Sequence, residues 1–279
     1  MRIPPVWKLV SGAFPDRQGR PAPLSAWGYG PDARSAEAAG RERLLRLAEF
    51  LRTGQTLERW YGYAQRPVRE EVVESFGASA DEDGPIAVVT RNGYGALILN
   101  AARMLFLDID FQPGLASVLR RRLGGRCPFT QRLERLRQDL AAYPDGTFRI
   151  YRTAGGFRAL CVNRPFDPGG RAAADLLRST GADPAFSRLC KVQQCFRARL
   201  TPKPWRCGLA RPTIRFPYRS SEEAAALRAW ADDYHRVAAR YATCRYAATV
   251  GSAPALDRFE PLIALHDDLT RALSGSSLA

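Results

Sequence analysis

PIAVVTRNGYGALILNAARMLFLDIDF, at residues 85–111, carries the strongest strand signal in the chain. It contains three apolar runs of strand length, at 85–91, 95–100 and 103–111. The NGYG between the first two runs favours a hairpin turn, because glycine readily adopts positive φ. The third run is nearly continuous in apolar residues up to Asp108, which predicts a central strand. This stretch therefore predicts antiparallel β-structure.

The regions on either side add a second hairpin and several helices. TFRIYRT and FRALCVN, joined by AGG, predict strands at 147–153 and 157–163. Apolar spacing and turn residues predict helices at 37–53, 56–76, 128–142, 170–180, 221–242 and 260–273. Further strands are expected at 195–201, 213–218 and 243–250. Hairpins mixed with helices indicate an α+β fold with mainly antiparallel sheets flanked by helices.

No linker or repeat divides the 279 residues, so a single domain over 1–279 is expected. The first 36 residues are rich in Pro and Gly and contain two tryptophans, which predicts an irregular N-terminal arm lying on the core. Residues 221–273 are expected to form a C-terminal helical part.

The chain is strongly basic, with a formal net charge of +14. Nearly all of the positive charge is arginine, since the lysines are Lys8, Lys191 and Lys203 alone. Arginine holds phosphates and carboxylates through paired hydrogen bonds, so the composition favours an anionic partner such as a nucleotide or nucleic acid. Coding bias in a GC-rich genome would also produce an arginine excess.

No apolar run reaches the roughly 18 residues that span a bilayer, and the N-terminus lacks the apolar region of a secretory signal. We therefore expect a cytoplasmic protein with no membrane partner. In that compartment the six cysteines are not expected to form a disulfide framework. Cys190, Cys195 and Cys207 are loosely spaced and lack a fourth ligand, so buried free thiols are expected rather than zinc.

Asp108 and Asp110 are the sharpest candidates for chemistry. Strand alternation places both carboxylates on one face, with their Cα atoms about 6–7 Å apart, at the end of an apolar strand. Such a pair can share a hard cation such as Mg²⁺ or Mn²⁺. Acidic residues also simply terminate strands, so the pair alone leaves both interpretations open.

Basic residues surround two later strands. The hairpin carries Arg149, Tyr151, Arg152, Thr153 and Arg158, and the segment after it carries Arg197, Arg199, Lys203, Trp205 and Arg206. Arginines on a hairpin can hold a triphosphate or a strand backbone, although solvated strand faces also carry arginine. Trp205 could stack on a base or belong to the core.

Histidine limits the possible chemistry. His235 and His266 are the only histidines, and both fall within predicted helices. The sequence has no GxSxG motif, no Walker A loop and no GxGxxG after a strand. Conventional hydrolase and dinucleotide-binding functions therefore have little support.

Three segments, in order, resemble the catalytic core of the archaeo-eukaryotic primase superfamily, which includes primase-polymerases. LFLDID at 105–110 resembles its strand ending in h-D-x-D/E. YRTAGGFRALCV at 151–162 resembles its T-x-x-G-x-H hairpin, and RARLTPKPW at 197–205 resembles its later basic segment. The resemblance covers about residues 85–207 and implies an RRM-like sheet.

The resemblance also implies roles for individual residues. Asp108 and Asp110 would be metal ligands, with Asp183 the best candidate for the family's third acid. The nucleotide phosphates would lie near Arg152, Thr153, Arg158, Arg197, Arg199 and Lys203. Where the family has a histidine that contacts the incoming nucleotide, this chain has Arg158, which cannot titrate near neutral pH.

Three hypotheses therefore remain open at the level of sequence. The chain could be a divalent-metal-dependent nucleotidyltransferase of primase-polymerase type. It could be a non-catalytic nucleic-acid-binding module on the same scaffold. It could also be a globular domain with no nucleic acid role.

Overall fold

A computed structural model describes residues 1–53, 67–78, 84–111 and 128–279. Its strands are β1 (Val6–Pro15), β2 (Pro21–Gly30), β3 (Glu71–Ala78), β4 (Pro85–Arg91), β5 (Leu97–Ala101), β6 (Phe106–Asp110), β7 (Phe148–Thr153), β8 (Gly156–Cys161), β9 (Phe196–Arg199) and β10 (Cys244–Val250). Its α-helices are α1 (Ala33–Thr53), α2 (Pro128–Ala141), α3 (Arg171–Ser179), α4 (Pro184–Gln193), α5 (Ser221–Ala238) and α6 (Glu260–Leu269).

The described strands form three antiparallel sheets. The first sheet has the order β10-β7-β8-β6, the second has the order β3-β4-β5-β9, and β1 and β2 form a separate hairpin that packs on α1. The adjacent edges β6 and β9 lie against each other, so the two four-stranded sheets meet there. The fold is α+β with mostly antiparallel sheets, as the sequence predicted.

The two faces of the first sheet differ in chemistry. One face carries Leu107, Ile150 and Ala159, all fully buried in the hydrophobic core. Phe129 of α2 packs on this side against Phe157, with ring centroids 4.7 Å apart. Burial of such apolar surface is the main stabilising contribution to a fold of this kind.

A polar row crosses the opposite face of the first sheet. Register places Asp108 opposite Arg158, Arg158 opposite Tyr151, and Tyr151 opposite Tyr246. Directly opposite side chains in an antiparallel pair lie on the same face. His266 of α6 packs over this row, 4.7 Å from the Tyr151 ring centroid. The fold therefore buries polar groups beneath α6 and leaves the Asp108 end of the row near the surface.

Most predicted elements are confirmed. The strand pairs at 85–101 and 148–161 form hairpins, and strands lie at 196–199 and 244–250. Helices α1 to α6 include those predicted around 37–53, 128–142, 170–180, 221–242 and 260–273.

Four structural expectations were wrong. The N-terminal 36 residues are not an irregular arm, because β1, β2 and the start of α1 occupy them. Prolines are tolerated in that hairpin because both of its strands are edges. The predicted strand at 213–218 is absent, and this segment contains the cis Phe216–Pro217 bond. The C-terminal part is helical apart from β10, the strand predicted at 243–250, which joins the first sheet.

The other two differences concern β6 and the predicted helix at 56–76. Strand β6 begins buried, but it is the last strand of its sheet rather than a central one. Its outer side lies beside β9 of the second sheet. Residues 71–76 belong to β3 instead of a helix, and residues 54–66 lie outside the described part of the chain.

Candidate functional site

The tip of β6 carries the acidic pair. Asp108 lies opposite Arg158 of β8, with 4.0 Å between Asp108 Oδ1 and Arg158 Nε, and about a third of the Asp108 side chain is exposed. Asp110 is exposed and lies opposite Gly156. A Cβ atom at Gly156 would come within 1.9 Å of the Ile109 carbonyl oxygen. Glycine at this position therefore allows the hairpin turn to lie close against the acidic strand end.

Asp183 approaches the same strand from the connection between α3 and α4. Its backbone N–H donates to the Asp108 carbonyl oxygen at 3.3 Å. Its side-chain Oδ1 accepts from the Ala185 N–H at 2.9 Å and so caps α4. The third predicted acid thus lies beside the pair, with one of its oxygens engaged in the cap.

The pKa of Asp110 is affected by several charged side chains near the β6 tip. Burial raises the pKa of Asp110, and the neighbouring carboxylate of Asp108 raises it further. Lys203 and Arg199 oppose that shift, and Asp183 adds a weaker upward contribution. Asp110 therefore lies within electrostatic range of two other acids and two bases.

Lys203 experiences the complementary field. Burial lowers the pKa of Lys203, and the cations Arg199 and Arg206 lower it further. The carboxylates of Asp110 and Asp108 act in the opposite direction. Acidic and basic side chains therefore act on one another at this end of the sheets, so the cluster offers both metal-binding oxygens and phosphate-binding cations.

Strand β9 brings Arg199 to this place. Arg199 pairs with Ile98 of β5, and its carbonyl oxygen accepts a hydrogen bond from Arg158 at 2.8 Å. Within the described residues, the buried Nε of Arg199 has no hydrogen-bond partner. This unpaired donor is enclosed, so a phosphate would have to contact the remaining guanidinium nitrogens of this part-buried side chain.

Arg158 lies deeper than the sequence suggested. Its side chain is only 2% exposed, and its Nη1 bonds the Arg199 carbonyl of the second sheet. The same Nη1 lies 3.4 Å from His266 Nε2. The predicted phosphate contact is therefore revised, because this guanidinium is interior and joins the two sheets. Its Nε, 4.0 Å from Asp108 Oδ1, has no hydrogen-bond partner among the described residues.

Sequence reasoning missed the role of His266. This histidine is fully buried, and burial lowers its pKa to about 4. The side chain of Asp267 contacts His266 Nδ1 at 3.1 Å and also accepts from Arg149 at 2.5 Å. His266 is consequently neutral at pH 7. A signal was present in the adjacent Asp267 and Asp268, but no pattern in the sequence related them to Arg158.

Cys244 lies near His266 in an arrangement that superficially suggests nucleophilic chemistry. Its Sγ is 4.0 Å from His266 Nε2, and Asp267 is on the other side of the ring. The thiol is fully buried, and burial raises its pKa. A reactive cysteine needs an accessible thiolate, so this cluster is a buried polar network rather than a nucleophile site.

Of the other three predicted phosphate ligands, two lie away from the β6 tip. Arg152 is exposed on the opposite face of β7, where its guanidinium lies 4.3 Å from the Phe129 ring centroid. Thr153 closes the β7–β8 turn, since its Oγ1 accepts from the Gly156 N–H at 2.9 Å. Arg197 forms a paired salt bridge with Glu70 at 2.7 Å. Arg152 and Arg197 are therefore not brought to the β6 tip, whereas Thr153 lies in the turn whose Gly156 pairs with Asp110.

The residues at the β6 tip fit one mode of metal binding. Within the described ranges, no cluster of three His, Cys, Asp or Glu side chains is close enough to share an ion. Asp183 thus does not complete a protein-only site. Mg²⁺ is usually held by one or two carboxylates, with water and substrate phosphates supplying the remaining ligands. Asp108 and Asp110 match that pattern.

The cysteines predicted as buried free thiols behave as expected where they are described. Cys161, Cys190, Cys195, Cys207 and Cys244 are free and buried. Burial raises the pKa of Cys190 to about 12 and that of Cys195 to about 11. These thiols are therefore protonated at neutral pH.

We predict that Asp110→Asn raises the melting temperature at pH 7 by about 1–2 °C. The fold raises the pKa of Asp110, so its ionised form is less favourable in the folded than in the unfolded chain. The destabilisation is present above the folded pKa and fades as the pH falls through it. Thermal scans between pH 7 and pH 4 should show the advantage of the variant shrinking.

Asp175→Asn provides the control for that experiment. Asp175 lies on α3 with half its side chain exposed and pairs with Arg178 at 3.2 Å, so its removal relieves no repulsion. A rise in melting temperature for Asp175→Asn equal to that for Asp110→Asn would contradict the crowding of acids at the β6 tip.

With the geometry established, comparison with known proteins gives no family. No protein-family model matches this chain, and no curated protein or solved structure is significantly similar to it. Among the helices in the described ranges, none combines the length and apolar character needed to cross a bilayer.

Proposed function

We propose that this chain binds a metal-chelated nucleoside triphosphate at the β6 tip and uses it in nucleotidyl transfer, in the manner of a primase-polymerase. The observation that carries this proposal is the gathering of Asp108 and Asp110 with Arg199 and Lys203 where β6 meets β9. Phosphoryl transfer depends mainly on positioning and charge stabilisation, and this combination of side chains supplies both.

Each side chain has a distinct task in this proposal. Asp108 and Asp110 would hold Mg²⁺ or Mn²⁺, an ion that is usually bound by one or two carboxylates together with water and substrate phosphates. With the ion bound, the site neutralises the triphosphate and lowers the pKa of an attacking hydroxyl. Arg199 and Lys203 contact the phosphates as cations, which favours the triphosphate over uncharged ligands.

Arg158 and His266 act indirectly. Arg158 places a buried cation 4.0 Å from Asp108 and joins β8 to β9 through the Arg199 carbonyl. His266 lies behind Arg158 and is neutral, so it adds no further positive charge beneath the site. The polar row under α6 thus positions the acidic pair.

A second candidate is a nucleic-acid-binding module without catalysis. Two observations favour it: Arg158 is interior where the primase family has a nucleotide-contacting histidine, and Asp183 does not complete a three-ligand cluster in the described residues. In that function Arg199 and Lys203 would hold backbone phosphates, and the acidic pair would be dispensable for binding.

Thermal stability measured with Mn²⁺ and each nucleoside triphosphate tests the proposal. A ligand that binds only the native state stabilises by about 2.7 kcal/mol at 100 times its dissociation constant, so a rise of several degrees is expected. Lys203→Ala should remove most of that rise, because the variant loses a phosphate contact. Nucleoside without phosphates should give no rise in either protein.

Lys8→Ala is the matched control, because Lys8 is an exposed lysine on the separate β1–β2 hairpin and its loss changes the net charge equally. The control should keep the full rise. An equal loss of the triphosphate response in Lys8→Ala and Lys203→Ala would show general charge attraction rather than a site.

A further inference from the structure

Beside the β6 tip lies an exposed aromatic and basic surface that shares only Lys203 with the proposed nucleotide site. It consists of Trp205, Tyr94, Lys203, Arg206 and Arg211, and we call it the Trp205 platform. Trp205 is 42% exposed, so its indole ring offers a large apolar area at the surface.

The Trp205 ring is surrounded by cations and one aromatic ring. The Arg211 guanidinium lies 4.2 Å from its centroid, and Lys203 Nζ lies 5.7 Å from it. The Tyr94 ring meets it edge-on at 5.3 Å. Cations over an indole face are attracted to its π-electrons, so the surface combines stacking area with positive charge.

The loop that carries Trp205 is firmly anchored. The Tyr234 hydroxyl donates to the Pro202 carbonyl at 2.5 Å, and the Thr201 hydroxyl accepts from the Leu97 N–H at 2.9 Å. A 3₁₀ turn over Pro204–Arg206 follows, closed by the Cys207 N–H bonding the Pro204 carbonyl. Trp205 is therefore held outward by a braced backbone instead of being exposed through looseness.

The turn that carries Tyr94 is braced as well. Asn92 Oδ1 accepts from the N–H groups of Tyr94 and Ala96 at 3.2 and 3.1 Å. Gly95 has a φ of +91°, and a Cβ there would come within 2.2 Å of the Trp230 ring. This close packing of the turn on α5 fixes Tyr94 beside Trp205, so the two rings form a preorganised surface.

We propose that the Trp205 platform binds single-stranded nucleic acid, with a base stacked on the exposed aromatic surface and backbone phosphates held by Arg206 and Arg211. Aromatic rings interleaved with cations are the features by which proteins hold single strands without reading their sequence. Lys203 belongs to both the platform and the nucleotide site, so a bound strand would lie next to the triphosphate. This placement rests on the proposed function, whereas strand binding itself does not.

Equilibrium binding of a fluorescent oligothymidylate, followed by anisotropy, tests the proposal. Trp205→Ala should weaken binding roughly tenfold or more, the usual effect of losing one stacked base. Trp205→Phe should retain most of the affinity because it keeps a stacking ring, and Trp205→Leu should not. Circular dichroism and melting temperature establish that each variant is folded.

An abasic oligomer of the same length isolates stacking from charge. Wild type should bind it as weakly as Trp205→Ala binds oligothymidylate, and Trp205→Ala should bind both oligomers about equally. Arg211→Ala should reduce the slope of log affinity against log salt by the amount that one phosphate contact contributes. Arg171→Ala should leave this slope unchanged, because Arg171 is an exposed arginine on α3, away from the platform. Equal affinity of wild type for the normal and abasic oligomers would overturn the proposal.

The nucleotide site and the Trp205 platform can be disproved independently of each other. Loss of oligonucleotide binding in Trp205→Ala with an unchanged Mn²⁺–triphosphate stabilisation supports the platform and the nucleotide site together. Intact oligonucleotide binding in a wild type that shows no triphosphate response would remove the nucleotide site and leave the platform. Unchanged oligonucleotide affinity in Trp205→Ala would remove the platform alone.

Discussion

Arg158→Ala is expected to lower the free energy of unfolding by about 3 kcal/mol, measured by urea denaturation. Arg158 is the largest side chain among the fully buried residues of the described chain, and it lies at the junction of the two sheets. Its loss leaves the Arg199 carbonyl without this donor, removes a cation from beside Asp108 and opens a cavity. Each of these effects destabilises, and they act at one place.

Arg158→Met separates volume from hydrogen bonding. Methionine fills much of the space, so this variant should recover part of the loss without restoring the bond to the Arg199 carbonyl. Arg152→Ala is the matched control on the neighbouring strand, because Arg152 is exposed and loses only its contact with the Phe129 ring, which should cost no more than about 1 kcal/mol. A loss in Arg158→Ala no larger than in Arg152→Ala would contradict the interior role of Arg158.

Arg197→Ala is expected to lower the free energy of unfolding by about 3 kcal/mol while leaving nucleotide affinity unchanged. Both partners of its pair with Glu70 are about nine-tenths buried, and Gln193 bonds the same guanidinium at 2.7 Å. Burial acts to lower the pKa of Arg197, but the Glu70 carboxylate outweighs burial and the net shift is upward. Removing the arginine leaves the buried Glu70 carboxylate without its paired cation.

A double-mutant cycle with Glu70→Ala measures this interaction. The double variant should be less destabilised than the sum of the two single variants, because removing both partners leaves no unpaired buried charge. If the losses of unfolding free energy in the two single variants simply add up to that of the double variant, the Arg197–Glu70 pair contributes little to stability. A fall in triphosphate affinity in folded Arg197→Ala would instead restore the phosphate-binding role that the sequence suggested.

The sequence predicted the fold class and most of its elements because hydrophobic spacing and turn residues are local signals. The amphipathic pattern of α1 and the glycine-containing turns of the two hairpins are examples. The N-terminal hairpin escaped because prolines, normally rare in strands, occupy edge positions such as Pro21 and Pro23. Whether a strand is an edge depends on its partners, and sequence patterns do not specify them.

The candidate site was predictable only in part. The paired acids on β6 follow from strand alternation, and Lys203 and Arg199 from their position in a basic segment. The roles of Arg158 and Arg197 did not follow, since their partners are more than 40 residues away in sequence. In the sequence alone, an arginine that binds a phosphate cannot be distinguished from one that stabilises the core, because the difference lies in the partners of its side chain.

Binding of a fluorescent ATP analogue, titrated with and without Mn²⁺ on wild type and on the Asp108→Asn/Asp110→Asn variant, tests the central claim most directly. Metal and nucleotide that share the β6 tip must strengthen each other's binding equally, as thermodynamic linkage requires. We expect Mn²⁺ to tighten nucleotide binding by about tenfold or more in wild type and to have no effect in the folded double variant. The same nucleotide affinity with and without Mn²⁺ in wild type, or an undiminished metal effect in the double variant, would contradict the account.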